Sequence, residues 1–157
     1  MMGAGKTTIG SLLAKKLNLS FFDIDRIIEK KKGMKIYEIF KNSGETEFRR
    51  LEKKITLKFL NKTGVISLGG GAFINEDIRK EVQKKGTSVW LRWSEKTLID
   101  RISKNKKRPI AFNLNDNELK DLIVSRSKVY SKVDYKIDCE DMSKTQIIDK
   151  IIKITNT

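Results

Sequence analysis

Gly3-Ala4-Gly5-Lys6-Thr7-Thr8 is the stretch that decides the fold. It matches the second half of the phosphate-binding pattern G-x-x-x-x-G-K-[ST]. Ile9, Leu12, Leu13 and Leu17 follow at helical spacing, so a helix is expected over 7–17. Without side chains, Gly3 and Gly5 let the backbone wrap a phosphate. The N–H groups of the loop, from Gly3 through Ala4 to Thr8, then turn inward, and the helix adds its positive end. In such a loop Lys6 reaches the β- and γ-phosphates and Thr7 ligates Mg²⁺. A glycine turn that merely precedes a lysine is the bland alternative, and G-x-G-K-T-T opening an amphipathic helix makes it poor. Counted back from Gly5, the first glycine of the pattern falls one residue before Met1. The expectation is therefore a sheet whose first, central strand is missing from this chain. The strands beside the gap would be those at 19–22 and at 65–68 or 88–92.

Outward from the loop, strand and helix signals alternate. Strands are expected at 19–23, 65–68, 88–92 and 135–137. Helices are expected at 25–32, 36–41, 45–60, 76–84 behind an Asn75 cap, after Ser94, at 117–130 and at 145–154. Residues 104–115 lack periodicity and hold the only proline, Pro109, which makes them the candidate mobile lid. The pattern implies one α/β domain, a three-layer αβα sandwich around a parallel sheet, in 157 residues. The absence of histidine excludes imidazole chemistry, and the lone Cys139 suits a reducing cytoplasm. No apolar run approaches a membrane span. The net charge of +14 is spread over nearly every helix, with no interleaved aromatics to stack bases. It reads as a field that attracts anionic metabolites rather than as a nucleic-acid surface.

Three further groups carry chemistry. Asp23 and Asp25 alternate at the carboxyl end of a strand, the edge where open α/β sheets bind ligands. They suit a metal's water shell or a substrate hydroxyl, and equally a helix cap. In Glu47-Phe48-Arg49-Arg50-Leu51-Glu52 an arginine lies beside the apolar face of its helix, where it can clamp a carboxylate or form a surface ion pair. Gly69-Gly70-Gly71 after an apolar strand points to backbone pressed against a ligand.

Taken in order, these segments resemble the shikimate kinases, small P-loop kinases of the nucleoside-monophosphate-kinase type. The matching runs are M-G-A-G-K-T-T, F-D-I-D-R, I-Y-E-I-F-K-N-S-G-E-T-E-F-R-R-L-E, S-L-G-G-G-A, V-W-L-R-W-S, K-R-P-I and R-S-K-V-Y. The resemblance implies phosphorylation of the 3-hydroxyl of shikimate by ATP with Mg²⁺, in a cytoplasmic monomer. It implies that Asp25, Gly70 and Gly71 hold substrate hydroxyls and that Arg49 and Arg126 clamp the carboxylate. Glu52 would position an arginine, and Phe40 and Phe48 would line the ring pocket. Asp23 would reach Mg²⁺ through water, Arg101 would lie near adenine, and Arg108 would close over the transferring phosphoryl group. Asp25 is the candidate acceptor for the hydroxyl proton. The family's R-x-P-L-Y reads Arg126-Ser-Lys-Val-Tyr130 here, without its proline. Two other readings stay open at this point: a sugar-acid kinase of the gluconate-kinase kind, and a kinase-like binding module without turnover.

Overall fold

The computed structural model describes residues 1–104 and 114–156. Arg108, Pro109 and most of the expected lid lie outside them. The order of elements is α1 (Lys6–Lys16), β1 (Phe21–Asp23), α2 (Ile24–Lys32), α3 (Ile36–Phe59), β2 (Val65–Ser67), a 3₁₀ turn (Ala72–Ile74), α4 (Glu76–Lys85), β3 (Val89–Arg92), α5 (Glu95–Ser103), α6 (Asp116–Tyr130), β4 (Tyr135–Asp138) and α7 (Lys144–Thr155). No helix among the described residues is long and apolar enough to cross a membrane.

Local chemistry sets the boundaries. Asn75 and Ser94 accept from the backbone N–H groups of Ile78 and Thr97, as their positions before helical runs predict. Asn115 caps α6 in the same way and Glu118 returns the bond, a reciprocal pair that starts the helix just before the expected 117. The helices expected at 36–41 and 45–60 form one element in sequence, interrupted at Gly44, where φ is 76° and ψ is 170°.

All strand pairing is parallel. β1 lies beside β2 in the register Phe21↔Val65, and β3 beside β4 in the register Val89↔Tyr135. The α/β fold with parallel strands expected from sequence is what forms, with the gap in the sheet that was expected too. Among the described residues they make two two-stranded sheets with no hydrogen bonds joining them. A slot of about 350 Å³ separates the pairs, lined by Ile66 and Leu68 on one side and Val89 and Leu91 on the other, with Phe73 and Tyr130.

The core is also divided. The larger cluster unites Ile9 and Leu13 of α1 with Trp90, Leu91, Ile102, Ile123, Ile137 and Ile148. A smaller one, Ile24, Ile28, Ile39, Phe48, Leu51 and Ile55, holds α2 against α3. Half-buried Leu68, at the end of β2, packs on both. The α2–α3 unit is thus an arm with its own apolar interior, hung beside the carboxyl ends of β1 and β2.

Candidate active site

A cleft of about 790 Å³ opens where the loop before α1, the ends of β1 and β2, the α2–α3 arm and α6 converge. It gathers every expected site residue except Arg101 and the undescribed Arg108.

One end is built for phosphate. Gly3 and Gly5 have φ of +73° and +76°, left-handed values that a glycine accepts without strain. Gly5 stands at the N-cap of α1 with no side-chain cap, so the first helical N–H groups keep their capacity to bind an anion. Lys6 Nζ donates to the carbonyl of Met1 at 2.7 Å and folds back over the loop. Thr7 Oγ1 donates to Asp23 Oδ2 at 2.6 Å, while Asp23 Oδ1 accepts from Arg26 N at 3.2 Å. Asp23 is therefore both a helix cap and the partner of Thr7.

A hydroxyl and a carboxylate side by side are the hard oxygen donors that Mg²⁺ takes. No cluster of three or more metal-binding side chains exists among the described residues. Mg²⁺ shared with phosphates and water needs no such cage, so Thr7 and Asp23 fit it.

The other end carries two arginines. Arg49 Nη1 donates to Glu52 Oε2 at 2.5 Å and Nη2 to Glu45 Oε1 at 3.1 Å. Burial works against the charge on Arg49, but Glu52 and Glu45 outweigh it and raise its pKa above the ordinary value. Arg126 Nη1 and Tyr130 Oη both donate to the carbonyl of Gly70, each at 3.1 Å, from successive turns of α6. Burial lowers the pKa of Arg126, and the nearby Arg49 pushes the same way. Burial pushes the Tyr130 hydroxyl up to about 12, so it stays a neutral donor. Two guanidinium groups facing one cleft form a site that an incoming carboxylate relieves electrostatically.

The three glycines are needed because protein side chains crowd them. A Cβ at Gly69 would lie 2.7 Å from Asp25 Oδ1 and against Glu52 Oε1. One at Gly70 would lie 2.9 Å from Met2 Cγ, and one at Gly71 2.6 Å from Arg49 Nη1. Their close neighbours are the carboxylates, the arginine and a P-loop methionine, and Gly70 and Gly71 also line the cleft. Phe40 and Phe48 meet at a tilt with ring centroids 4.6 Å apart and wall the cleft on the arm side.

Arg101 sits apart from the cleft lining, over the ring of Trp93 at 3.8 Å. Sequence reasoning gave no role to Trp93, Tyr130 or Glu29. Tyr130 is one helical turn beyond Arg126, a spacing that would have flagged it. Glu29 lines the cleft and accepts from Ile36 N at 3.1 Å, tying α2 to the start of α3. No motif marks it.

The comparisons agree with this geometry. The family model "Shikimate kinase" matches residues 2–156. A shikimate kinase of Persephonella marina is 40% identical over 152 residues, 96% of this chain and 92% of the relative. One of Bartonella henselae is 40% identical over 155 residues, 98% of this chain and 74% of the relative. Among solved structures, shikimate kinase from Acinetobacter baumannii in complex with shikimate superposes with a TM-score of 0.91 at 30% identity, covering 99% of this chain and 88% of that one. The enzyme from Aquifex aeolicus gives 0.85 at 32% identity, covering 99% and 92%. With a family match over nearly its whole length, and a cleft that joins a phosphate loop to a pair of arginines, this chain belongs to the shikimate kinase family.

Proposed function

We propose that this chain transfers the γ-phosphoryl group of ATP to the 3-hydroxyl of shikimate. The observation that carries the reading is the meeting of two ends in one cleft: Lys6 and Thr7 at one, and Arg49, Arg126 and Asp25 at the other. In this reading Arg49 and Arg126 take the substrate carboxylate, with Glu52 holding Arg49 in place. The backbone of Gly70 and Gly71 and the side chain of Asp25 orient the ring hydroxyls between the Phe40–Phe48 wall and the glycine turn. Asp25 accepts the proton of the 3-hydroxyl as its oxygen bonds to the γ-phosphorus and the bond to the leaving ADP oxygen breaks. Phosphoryl transfer asks for positioning and charge neutralisation more than covalent help. Lys6 supplies one charge and Arg108, on the expected lid, another. Mg²⁺ held by Thr7, with Asp23 through water, would neutralise the phosphate oxygens. The enzyme is read as a cytoplasmic monomer; its one cysteine, Cys139, is buried and free.

A coupled assay for ADP release tests the proposal. Turnover should depend on shikimate and not on gluconate. Replacing Arg49 or Arg126 with Ala should each raise the KM for shikimate by the equivalent of about 1.5–3 kcal/mol, the worth of a hydrogen bond to a charged group, and leave that for ATP nearly unchanged. ADP release without any dependence on shikimate, or an unaltered KM in Arg49→Ala, overturns the acid-site reading.

A further inference from the structure

Trp93 stands between β3 and α5, half-buried, and its indole Nε1 donates to the carbonyl of Ala4 at 3.1 Å. The Arg101 guanidinium covers its ring at 3.8 Å and reaches the carbonyl of Gly3 at 3.4 Å through Nη1. A Cβ on Gly3 would stand 3.5 Å from Arg101 Cβ and Ile102 Cγ1, so the phosphate loop lies directly on α5.

The peptide bond turns these contacts into aim. Within a trans peptide unit the C=O and the next N–H point in opposite directions. Holding the Ala4 carbonyl outward toward Trp93 therefore turns the Gly5 N–H the other way, and holding the Gly3 carbonyl outward does the same for the Ala4 N–H. Lys6 Nζ holds the Met1 carbonyl. Each of the three loop carbonyls named has a side-chain donor, and two of the three donors belong to the Trp93–Arg101 pair.

We infer that Trp93 is a positioning residue for phosphate binding: its indole N–H fixes the Ala4–Gly5 peptide so that the Gly5 N–H faces the phosphates. Arg101 completes the same device from α5 by holding the Gly3 peptide while stacked on the indole. The inference rests on the nucleotide-binding reading above and extends it to residues outside the cleft lining. The charge and aromatic area of the pair act through the loop backbone, not by contact with the reacting atoms.

Trp93→Phe keeps a ring beneath Arg101 and deletes the N–H donor. Titrations would use three probes: Mg-ATP, Mg-tripolyphosphate, which has no adenine, and shikimate alone. The variant should bind ATP and tripolyphosphate more weakly by the same factor, about 3- to 10-fold, the span of one net hydrogen bond. Its affinity for shikimate should be unchanged. In the unaltered protein the Trp93 indole proton resonance, identified by its loss in Trp93→Phe, should shift when tripolyphosphate is added. Weakening seen for ATP and not for tripolyphosphate would move the role of Trp93 to adenine and sink the inference. Equal weakening for shikimate would reduce Trp93 to a packing residue, and an indole resonance indifferent to tripolyphosphate overturns the inference even if the variant fails to fold. Failure of the unaltered protein to bind either phosphate ligand would instead sink the nucleotide reading, and this inference with it.

Discussion

Glu52 holds Arg49 from a buried position. Its side chain is 2% exposed, and its Oε1 has no hydrogen-bond partner among the described residues. Burial pushes its carboxyl above the ordinary 4.5, with Arg49 pulling the other way and Asp25 adding to the rise. A carboxyl whose pKa is higher folded than unfolded binds its proton more tightly in the native state. The stability it contributes is present below the unfolded pKa and is lost as pH rises through the folded one. Glu52→Gln does not titrate. The melting temperature of the unaltered protein should therefore fall relative to that of Glu52→Gln as pH rises from about 4.5, the ordinary carboxyl value. A difference that stays constant from pH 4 to 8 would mean that Glu52 titrates normally. Part of this was legible in the sequence: Phe48, Leu51 and Ile55 mark an apolar stripe, and Glu52 and Thr56 interrupt that stripe. A carboxylate on a buried stripe signals a partner. Periodicity alone did not say whether Arg49 serves Glu52 or a ligand, because a guanidinium three residues away fits both.

α3 is the element that shapes the acid pocket, and its shape comes from Gly44. At φ 76° and ψ 170° this residue occupies a region open essentially to glycine alone. Phe40 lies before the break and Phe48 after it, yet their ring centroids are 4.6 Å apart. The bend brings the two walls of the pocket together. A Cβ at Gly44 would meet nothing within 4 Å, so an alanine there costs backbone strain and no clash. That strain is about 1–3 kcal/mol, and relaxing it means rotating the arm that carries Phe40. Gly44→Ala should lower the melting temperature by about 2–4 °C per kcal/mol in a domain of this size. It should also raise the KM for shikimate several-fold and leave ATP binding alone. A variant with unaltered melting and KM would show that the arm reaches the same pose by another backbone route. The sequence disclosed the interruption, since helical spacing lapses around 42–44. It did not disclose that the two helices stay close enough for Phe40 and Phe48 to touch, which depends on the angle at one residue. Capping was more legible: Asn75 and Ser94 are polar residues before apolar runs, and their side chains cap as that position requires.

At the scale of the whole molecule the weak seam is the slot between the two strand pairs. Val65 N donates to Ser20 O, and the carbonyls of Ser88 and Arg92 accept from Tyr135 N and Cys139 N. Alternate residues of a parallel strand turn their peptide groups to opposite sides. The N–H and C=O groups of Ile66 on β2, and of Val89 and Leu91 on β3, therefore face the slot rather than a partner strand. The side chains around them are apolar, and a buried peptide group without a partner costs about 1–3 kcal/mol. Against a total stability of roughly 5–15 kcal/mol, a few such groups are a large penalty. The sequence predicts a gap in the sheet between the strand at 19–22 and one of those at 65–68 and 88–92. The structure corrects the first neighbour: among the described residues β1 pairs with β2, and the slot lies between β2 and β3, so β1 does not border it. The amides of Ile66, Val89 and Leu91 should exchange with solvent far faster than those of Tyr135, Ile137 and Cys139, which face the β3 edge. A chain lengthened ahead of Met1 by about six β-branched residues ending in glycine, the length of a typical strand, should slow exchange at those three amides. It should also raise the melting temperature and tighten ATP binding, because the same strand would anchor the loop that Lys6, Trp93 and Arg101 now hold by its carbonyls. If the three amides are already as protected as their neighbours, or the lengthened chain melts no higher, the two half-sheets are sealed by side chains alone and unpaired edges do not weaken the fold.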